Sequence, residues 1–258
     1  MKVVIFAGGL GTRIAEETDT RPKPMVEIGG KPILWHIMKI YSQFGFNDFI
    51  ICLGYKGYMI KEYFMNYFLH NSDISIDIAN NKMEVLGSKT EAFKVTLVDT
   101  GANTKTAGRL KQVQKYIGDE DFMLTYGDGV ADIDISALVA FHKKHHKTAT
   151  VTAVQLDARF GGMDISHTGD VKSFREKAKD NSKWINAGFF VLKPNVFDYL
   201  VGDMSNTMWE DEPLEKLTSD NELVAYQHAG FWKCMDAMRD KLELEALWQN
   251  NEAKWKTW

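Results

Sequence analysis

The sequence predicts an α/β fold, a mostly parallel sheet flanked by helices, running through all 258 residues as one domain. Three observations carry this. Short apolar runs alternate with amphipathic stretches; a glycine-rich turn follows the first apolar run directly; and no repeat, low-complexity segment or Pro/Ser-rich linker divides the chain. With 45% hydrophobic residues the chain can bury a full core. A net charge of −4 without a Lys/Arg cluster argues against a polyanion partner, so no nucleic acid is expected. No apolar stretch approaches the ~18 residues of a membrane span, and the first residues read as a core strand rather than a targeting signal. A cytoplasmic protein without a membrane partner is the expectation. Two cysteines, Cys52 and Cys234, imply no disulfide framework.

The elements follow in order. Lys2–Ala7 is apolar throughout after its first residue and reads as a buried parallel strand. Pro32 suits the first turn of a helix, in which Ile33, Leu34, Ile37, Met38, Tyr41 and Phe44 recur at helical spacing. Phe49–Leu53 is the second strand, and Tyr58–Leu69 an aromatic-rich helix. Val95–Asp99 and Phe122–Tyr126 are further strands with a helix over 109–116 between them. A helix over 136–146, strands over 148–156 and 186–192, and a closing helix and tail over 236–258 complete the run. Residues 160–180, rich in Gly, Lys and Asp, are expected to form an inserted hairpin that carries substrate contacts.

The most informative stretch is Gly9–Pro24. Glycines 8, 9 and 11 let backbone N–H groups approach a bulky anion, and Arg13 and Lys23 bring two positive charges back to the same loop. Pro22 and Pro24 stiffen the chain on either side of Lys23. An ordinary strand-to-helix turn explains the glycines but neither Arg13 nor Pro-Lys-Pro. A Walker loop is excluded because Gly29-Gly30-Lys31 is followed by Pro32 where a hydroxyl must stand, and a dinucleotide fingerprint because Ile14 replaces its third glycine. A polyphosphate ligand is what remains. Ligands of open parallel sheets lie beyond the C-terminal strand ends, where this loop and Gly127-Asp128-Gly129 both fall. Asp128, between two glycines, is the first metal candidate, since Mg²⁺ in nucleotide sites is held by only one or two carboxylates. Asp236, before the last helix, is the second; a turn aspartate and a helix N-cap are their plain structural readings. Asp132 and Asp134 alternate with isoleucines and read as solvated surface.

Gly8-Gly9-Leu10-Gly11-Thr12-Arg13, Thr18 and Pro22-Lys23-Pro24 together resemble the signature of the sugar-nucleotidyltransferases. Gly127-Asp128-Gly129, Glu176-Lys177, Asn186-Ala-Gly-Phe-Phe190 and Met235-Asp236 follow in that family's order, so the resemblance covers nearly the whole chain. It implies a Rossmann-like fold of the nucleotide-diphospho-sugar transferase type. Glu16-Glu17-Thr18, Pro24–Met38, Gly54–Tyr58, Val98–Gly101 and Trp255–Trp258 are similar to the branch that joins CTP to glucose 1-phosphate. That branch implies CDP-glucose and pyrophosphate as products, Mg²⁺ as cofactor, a homo-oligomer, and a place in deoxysugar synthesis for surface polysaccharide such as the lipopolysaccharide O antigen. A sister enzyme using dTTP or UTP, and a non-catalytic sugar-nucleotide sensor, are the alternatives; the intact charged residues speak against the second.

By position, the resemblance implies that Phe6, Ala7, Gly8, Gly9, Leu10, Gly11, Thr12 and Gly127 hold the nucleotide, with Arg13 on its β/γ-phosphates. Lys23 would neutralise the reacting phosphates, and Arg109, with Thr104 or Thr106, would contact substrate. Asp128 and Asp236 would bind Mg²⁺, Glu176 and Asn186 the sugar hydroxyls, and Lys177 the sugar phosphate. Three positions depart from the pattern: Ala178 where Pro usually follows Glu-Lys, Ala187 for a glycine, and Cys234 where proline commonly precedes Met-Asp.

Other features carry plain readings. His142, His145 and His146 have zinc-like spacing but alternate with lysines, which favours a solvated helix end. Tyr63, Phe64, Tyr67 and Phe68 read as core or subunit interface, and Trp248, Trp255 and Trp258 as a self-association surface.

Overall fold

The computed structural model describes residues 1–155, 162–165, 171–175 and 184–258. Its centre is a sheet of seven strands: β1 (Val3–Ala7), β2 (Asp48–Leu53), β3 (Lys94–Asp99), β4 (Phe122–Tyr126), β5 (Ala149–Val154), β6 (Ile185–Leu192) and β7 (Leu223–His228). In space they run β7-β5-β6-β4-β1-β2-β3. β1 lies between β2 and β4, parallel to both, while β6 runs antiparallel to β4 and β5. β1 is buried over its whole length, as a central strand covered on both faces must be. Side chains alternate across its two faces: Val3, Ile5 and Ala7 join one core, Val4 and Phe6 the other.

Helix α1 (Ile33–Ser42) packs on the first face. It begins one residue after Pro32, and Phe44 falls beyond its end. On the second face lies α3 (Thr106–Ile117), with Ala107, Leu110, Val113 and Ile117 buried. Further helices of eight residues or more among the described residues are α2 (Gly57–His70), α4 (Ile135–His145), α5 (Glu212–Ser219) and α6 (Met238–Gln249). α5, β7 and the antiparallel pair Ser72–Asp77 with Lys82–Ser88 are additions to the elements expected from sequence. Within the 160–180 segment, Gly162–Ile165 and Val171–Arg175 pair antiparallel, as a hairpin requires. No helix among the described residues is long and apolar enough to cross a membrane.

Four expectations change. Trp255 is buried rather than offered to a partner, stacked on Phe231, and its indole N–H donates to His36 Nδ1 at 3.3 Å. Trp248 and Trp258 pack partly buried against the same cluster, so the tail closes the chain's own core. His142 is fully buried: its Nδ1 and His145 Nε2 lie 2.8 and 2.7 Å from the Thr150 hydroxyl, and only His146 is exposed. Asp132 is half-buried beside His228, at 2.9 Å, whereas Asp134 is exposed and caps α4 through Ala137 N–H. The last helix is capped by Asp240, whose carboxylate accepts from the N–H groups of Asp236 and Ala237 at 3.1 and 2.9 Å. Asp236 is thereby free of the capping role.

His36 generates a test. It is fully buried, its Nε2 lies 2.8 Å from Ile28 O, and burial lowers its pKa to about 4 from 6.5. A folded-state pKa below the unfolded one means the unfolded chain takes up a proton that the fold refuses. The stabilisation is complete above pH 6.5 and is lost as pH falls toward 4. Between pH 7.5 and 5 this one residue costs roughly 2 kcal/mol of stability. Urea titrations at both pH values measure it, and His36→Gln, which keeps a donor for Ile28, should flatten the slope. An unchanged slope would exclude His36 as its source.

Candidate active site

β1 and β4 are adjacent and parallel, so their C-terminal ends place the Gly8–Arg13 loop beside Gly127-Asp128-Gly129. Two backbone details let the loop form. Gly11 takes φ +66°, a left-handed conformation that suits glycine, and its Cα faces the Lys23 stem and Thr18. Gly8 has no room for a side chain: a Cβ there would come within 2.3 Å of the Arg109 guanidinium carbon.

Arg109 is only 4% exposed. Its Nη1 donates to Leu53 O, Thr100 Oγ1 and Gly101 O at 2.9, 2.6 and 2.9 Å, and its Nη2 to Gly8 O at 2.9 Å and, more weakly, to Ala102 O at 3.4 Å. The sequence reading placed Arg109 on a substrate; the structure places it beneath the loop, clamping the ends of β1, β2 and β3. Every N–H it spends on these acceptors is unavailable to a ligand. Thr104 also lies outside the cleft, close under Gly101.

Above the loop opens a cleft of about 440 Å³. Of the expected nucleotide-binding residues, Phe6, Ala7, Gly9, Gly11, Thr12, Arg13, Lys23, Thr106 and Gly127 line it, as do both expected metal ligands. Lys23 is held between the carboxylates. Its Nζ lies 2.6 Å from Asp128 Oδ2 and 2.7 Å from Asp236 Oδ1, while Arg13 Nη1 reaches Asp236 Oδ2 at 2.9 Å. Burial would lower the Lys23 pKa, but Asp128 and Asp236 outweigh it and hold it above its ordinary value. Burial would raise Asp236, but Lys23 and Arg13 hold its carboxyl below the usual range. Lys23 and Asp236 are therefore both charged at neutral pH. Cys234, beside them, is pushed up to about 11 by burial and by the Asp236 and Asp128 carboxylates, so its thiol stays protonated and is no nucleophile.

The two carboxylates fit a magnesium site. Both turn an oxygen to one point, now occupied by the Lys23 ammonium, and the cleft leaves space for phosphate oxygens and water, the usual remaining ligands of Mg²⁺. Among the described residues no group of three or more His, Cys, Asp or Glu side chains could hold a metal by protein ligands alone.

A second cavity of about 240 Å³ adjoins the first, and the two share Tyr126, Asp128 and Asp236. Asn186 and Ala187 line it. Asn186 Oδ1 accepts from Gly188 N–H at 2.8 Å, leaving its amide N–H₂ 3.5 Å from the Tyr126 hydroxyl. Glu176, Lys177 and Ala178 lie outside the described residues.

Sequence reasoning missed Tyr126 and Glu210. The Tyr126 hydroxyl donates to Glu210, whose other oxygen accepts from Thr106 Oγ1 at 2.9 Å, and both residues line the main cleft. Burial first, then Glu210, raises the Tyr126 pKa, keeping it a donor. Tyr126 could have been found as the last strand residue before Gly-Asp-Gly. Glu210 sits in the acidic run before α5, which reads as a helix start.

Known proteins resemble this chain along nearly its whole length. A family model described as nucleotidyl transferase matches residues 2–250. Over 259 aligned residues, covering 100% of both chains, the sequence is 58% identical to the glucose-1-phosphate cytidylyltransferase of Salmonella typhimurium. It is 47% identical over 258 residues, again 100% of both, to a probable glucose-1-phosphate cytidylyltransferase of Bacillus subtilis. Among solved structures, HddC from Yersinia pseudotuberculosis superposes with a TM-score of 0.70 at 25% identity, covering 96% of this chain and 99% of that one. Matched by that family model from residue 2 to residue 250, this chain belongs to the nucleotidyl transferase family.

Proposed function

We propose that the protein transfers the cytidylyl group of CTP to α-D-glucose 1-phosphate, giving CDP-glucose and pyrophosphate. The observation that carries it is the junction of the two cavities at Asp128 and Asp236, where a nucleotide and a sugar phosphate would meet. The full-length relatives in two organisms supply the choice of substrates.

A phosphate oxygen of the sugar phosphate attacks the α-phosphorus of CTP, and the bond to the β-phosphate bridging oxygen breaks as pyrophosphate leaves. Such transfers rest on positioning and charge neutralisation, with little covalent work for the protein. The loop from Phe6 to Thr12 lays backbone N–H groups along the triphosphate. Arg13 and Lys23 absorb the charge that builds on pyrophosphate, and Asn186 turns its amide toward the sugar. Asp128 and Asp236 would hold Mg²⁺, which when bound shields the α-phosphate from like-charge repulsion. A product of this kind supplies activated glucose for deoxysugars of surface polysaccharide.

The chain is further proposed to assemble with copies of itself. The pair Ser72–Asp77 and Lys82–Ser88 turns Ile74, Ile76, Met83 and Val85 to one face, and Ile76 and Met83 remain 59% and 55% exposed. A two-stranded ribbon with a bare apolar face is marginal in water unless something covers it. A second copy supplies an identical apolar face.

Three measurements test this reading. Pyrophosphate release with glucose 1-phosphate and Mg²⁺ should be far faster with CTP than with UTP, dTTP, ATP or GTP. Preference for dTTP or UTP would replace the nucleotide, and binding of CDP-glucose without release from any triphosphate would make the protein a sensor. Lys23→Ala and Asp236→Asn should each slow turnover by about 10²-fold or more; wild-type rates would remove that residue from the reaction. Light scattering should give a mass of several chains, and Ile76→Lys with Met83→Lys should reduce it; a monomeric wild type sinks the assembly.

A further inference from the structure

We infer that Lys23 is a counterion standing in for the metal, so that a divalent cation settles between Asp128 and Asp236 only when a triphosphate draws Lys23 away. This rests on the proposed reaction, in which the same carboxylates hold Mg²⁺. Its basis is mutual exclusion. The Lys23 Nζ lies 2.6 and 2.7 Å from one oxygen of each carboxylate. A Mg²⁺ ion bound by both oxygens, at about 2.1 Å from each, would lie nearly on the ammonium nitrogen. Two cations cannot share that point.

The charges reinforce the geometry. Asp128 and Asp236 are balanced by Lys23 and Arg13, each within 2.9 Å of a carboxylate oxygen, so the cluster is neutral without a metal. A divalent ion arriving alone must expel an ammonium that is 13% exposed from both of its carboxylate partners, and a second anion must then receive it. A triphosphate, with about four negative charges, offers that second anion. The backbone at Lys23, which stands between Pro22 and Pro24, is fixed at the start of a short 3₁₀ turn over Lys23–Met25, and its stem runs beside Gly11. Rotation about the side-chain bonds alone therefore carries Nζ from the carboxylates to the phosphate-facing loop. Arg13, 77% exposed, can swing the same way and release the second oxygen of Asp236. Lys23 thus orders the two ligands, nucleotide before metal, and by linkage each strengthens the other.

The test reads Mn²⁺ binding to the full-length, nucleotide-free protein by electron paramagnetic resonance, with no turnover involved. Wild type should bind Mn²⁺ weakly, and Lys23→Met about tenfold or more tightly. Arg13→Ala should give a smaller gain, and Lys23→Met combined with Asp236→Asn should lose it. If Lys23→Met melts at lower temperature and cannot be used, Arg13→Ala at an exposed site decides alone. Equal affinity in wild type and in every cation variant, with Asp236→Asn weakening all of them, would overturn Lys23 as a stand-in while keeping the metal site. Absence of protein-bound Mn²⁺ in all variants, also with CTP present, would remove the metal site and this inference with it.

Discussion

The site depends on one buried cation. Arg109 sits under the C-terminal ends of three parallel strands and gives its guanidinium to acceptors from each: Gly8 after β1, Leu53 at the end of β2, Thr100 and Gly101 after β3. Burial lowers its pKa, yet five acceptors and the nearby Asp99 keep the charged form satisfied. Leaving such a charge unpaired would be far costlier than a neutral gap, so these strand ends are locked to one another. Gly8 must be glycine for the guanidinium to fit, and Gly54 lies under the same constraint, with a Cβ there falling 2.7 Å from Nη1. The loop's shape thus follows from a residue a hundred positions away in sequence.

Across the cleft the arrangement is different in kind. Lys23, Arg13, Asp128 and Asp236 are held by charge, at a surface where Asp236 and Arg13 keep 38% and 77% of their side-chain exposure. Arg109 makes four of its five contacts to backbone that cannot leave, whereas Lys23 makes its contacts to side chains that a ligand can take over. A rigid floor with an exchangeable wall suits a reaction governed by where phosphates sit.

This division also explains what was legible in the sequence. The loop, its two cations and both carboxylates were readable because each lies at a strand end or between prolines and glycines, where local spacing fixes position. The buried parallel strands were readable as apolar runs. Ser72–Asp77 and β7 were not: the first alternates but stays exposed, and the second is short and only partly buried, so neither reads as a buried central strand. The role of Arg109 was hidden because its partners, four main-chain oxygens and the Thr100 hydroxyl, come from three separate segments, which no spacing reveals. Trp255 looked like an interface residue, because a tail that folds back over His36 cannot be told from an exposed one by composition. Asp240 hid the freedom of Asp236: the carboxylate four residues later does the capping.

Glu210 completes the logic of the cleft. A carboxylate in a polyphosphate site is unfavourable anywhere a phosphate must pass, so its position constrains how a nucleotide lies. It is fixed on the wall by the Tyr126 and Thr106 hydroxyls, while Arg13 and Lys23 line the same cleft beside the glycine loop and can meet anionic oxygens there. In the proposed reaction the triphosphate is therefore driven toward the glycine loop and the neutral nucleoside end toward Glu210. Tyr126 bridges the two cavities and its hydroxyl faces both Glu210 and Asn186. One strand-end tyrosine thus ties the wall that orients the nucleotide to the wall that would receive the sugar, and both are referenced to the same carboxylate pair.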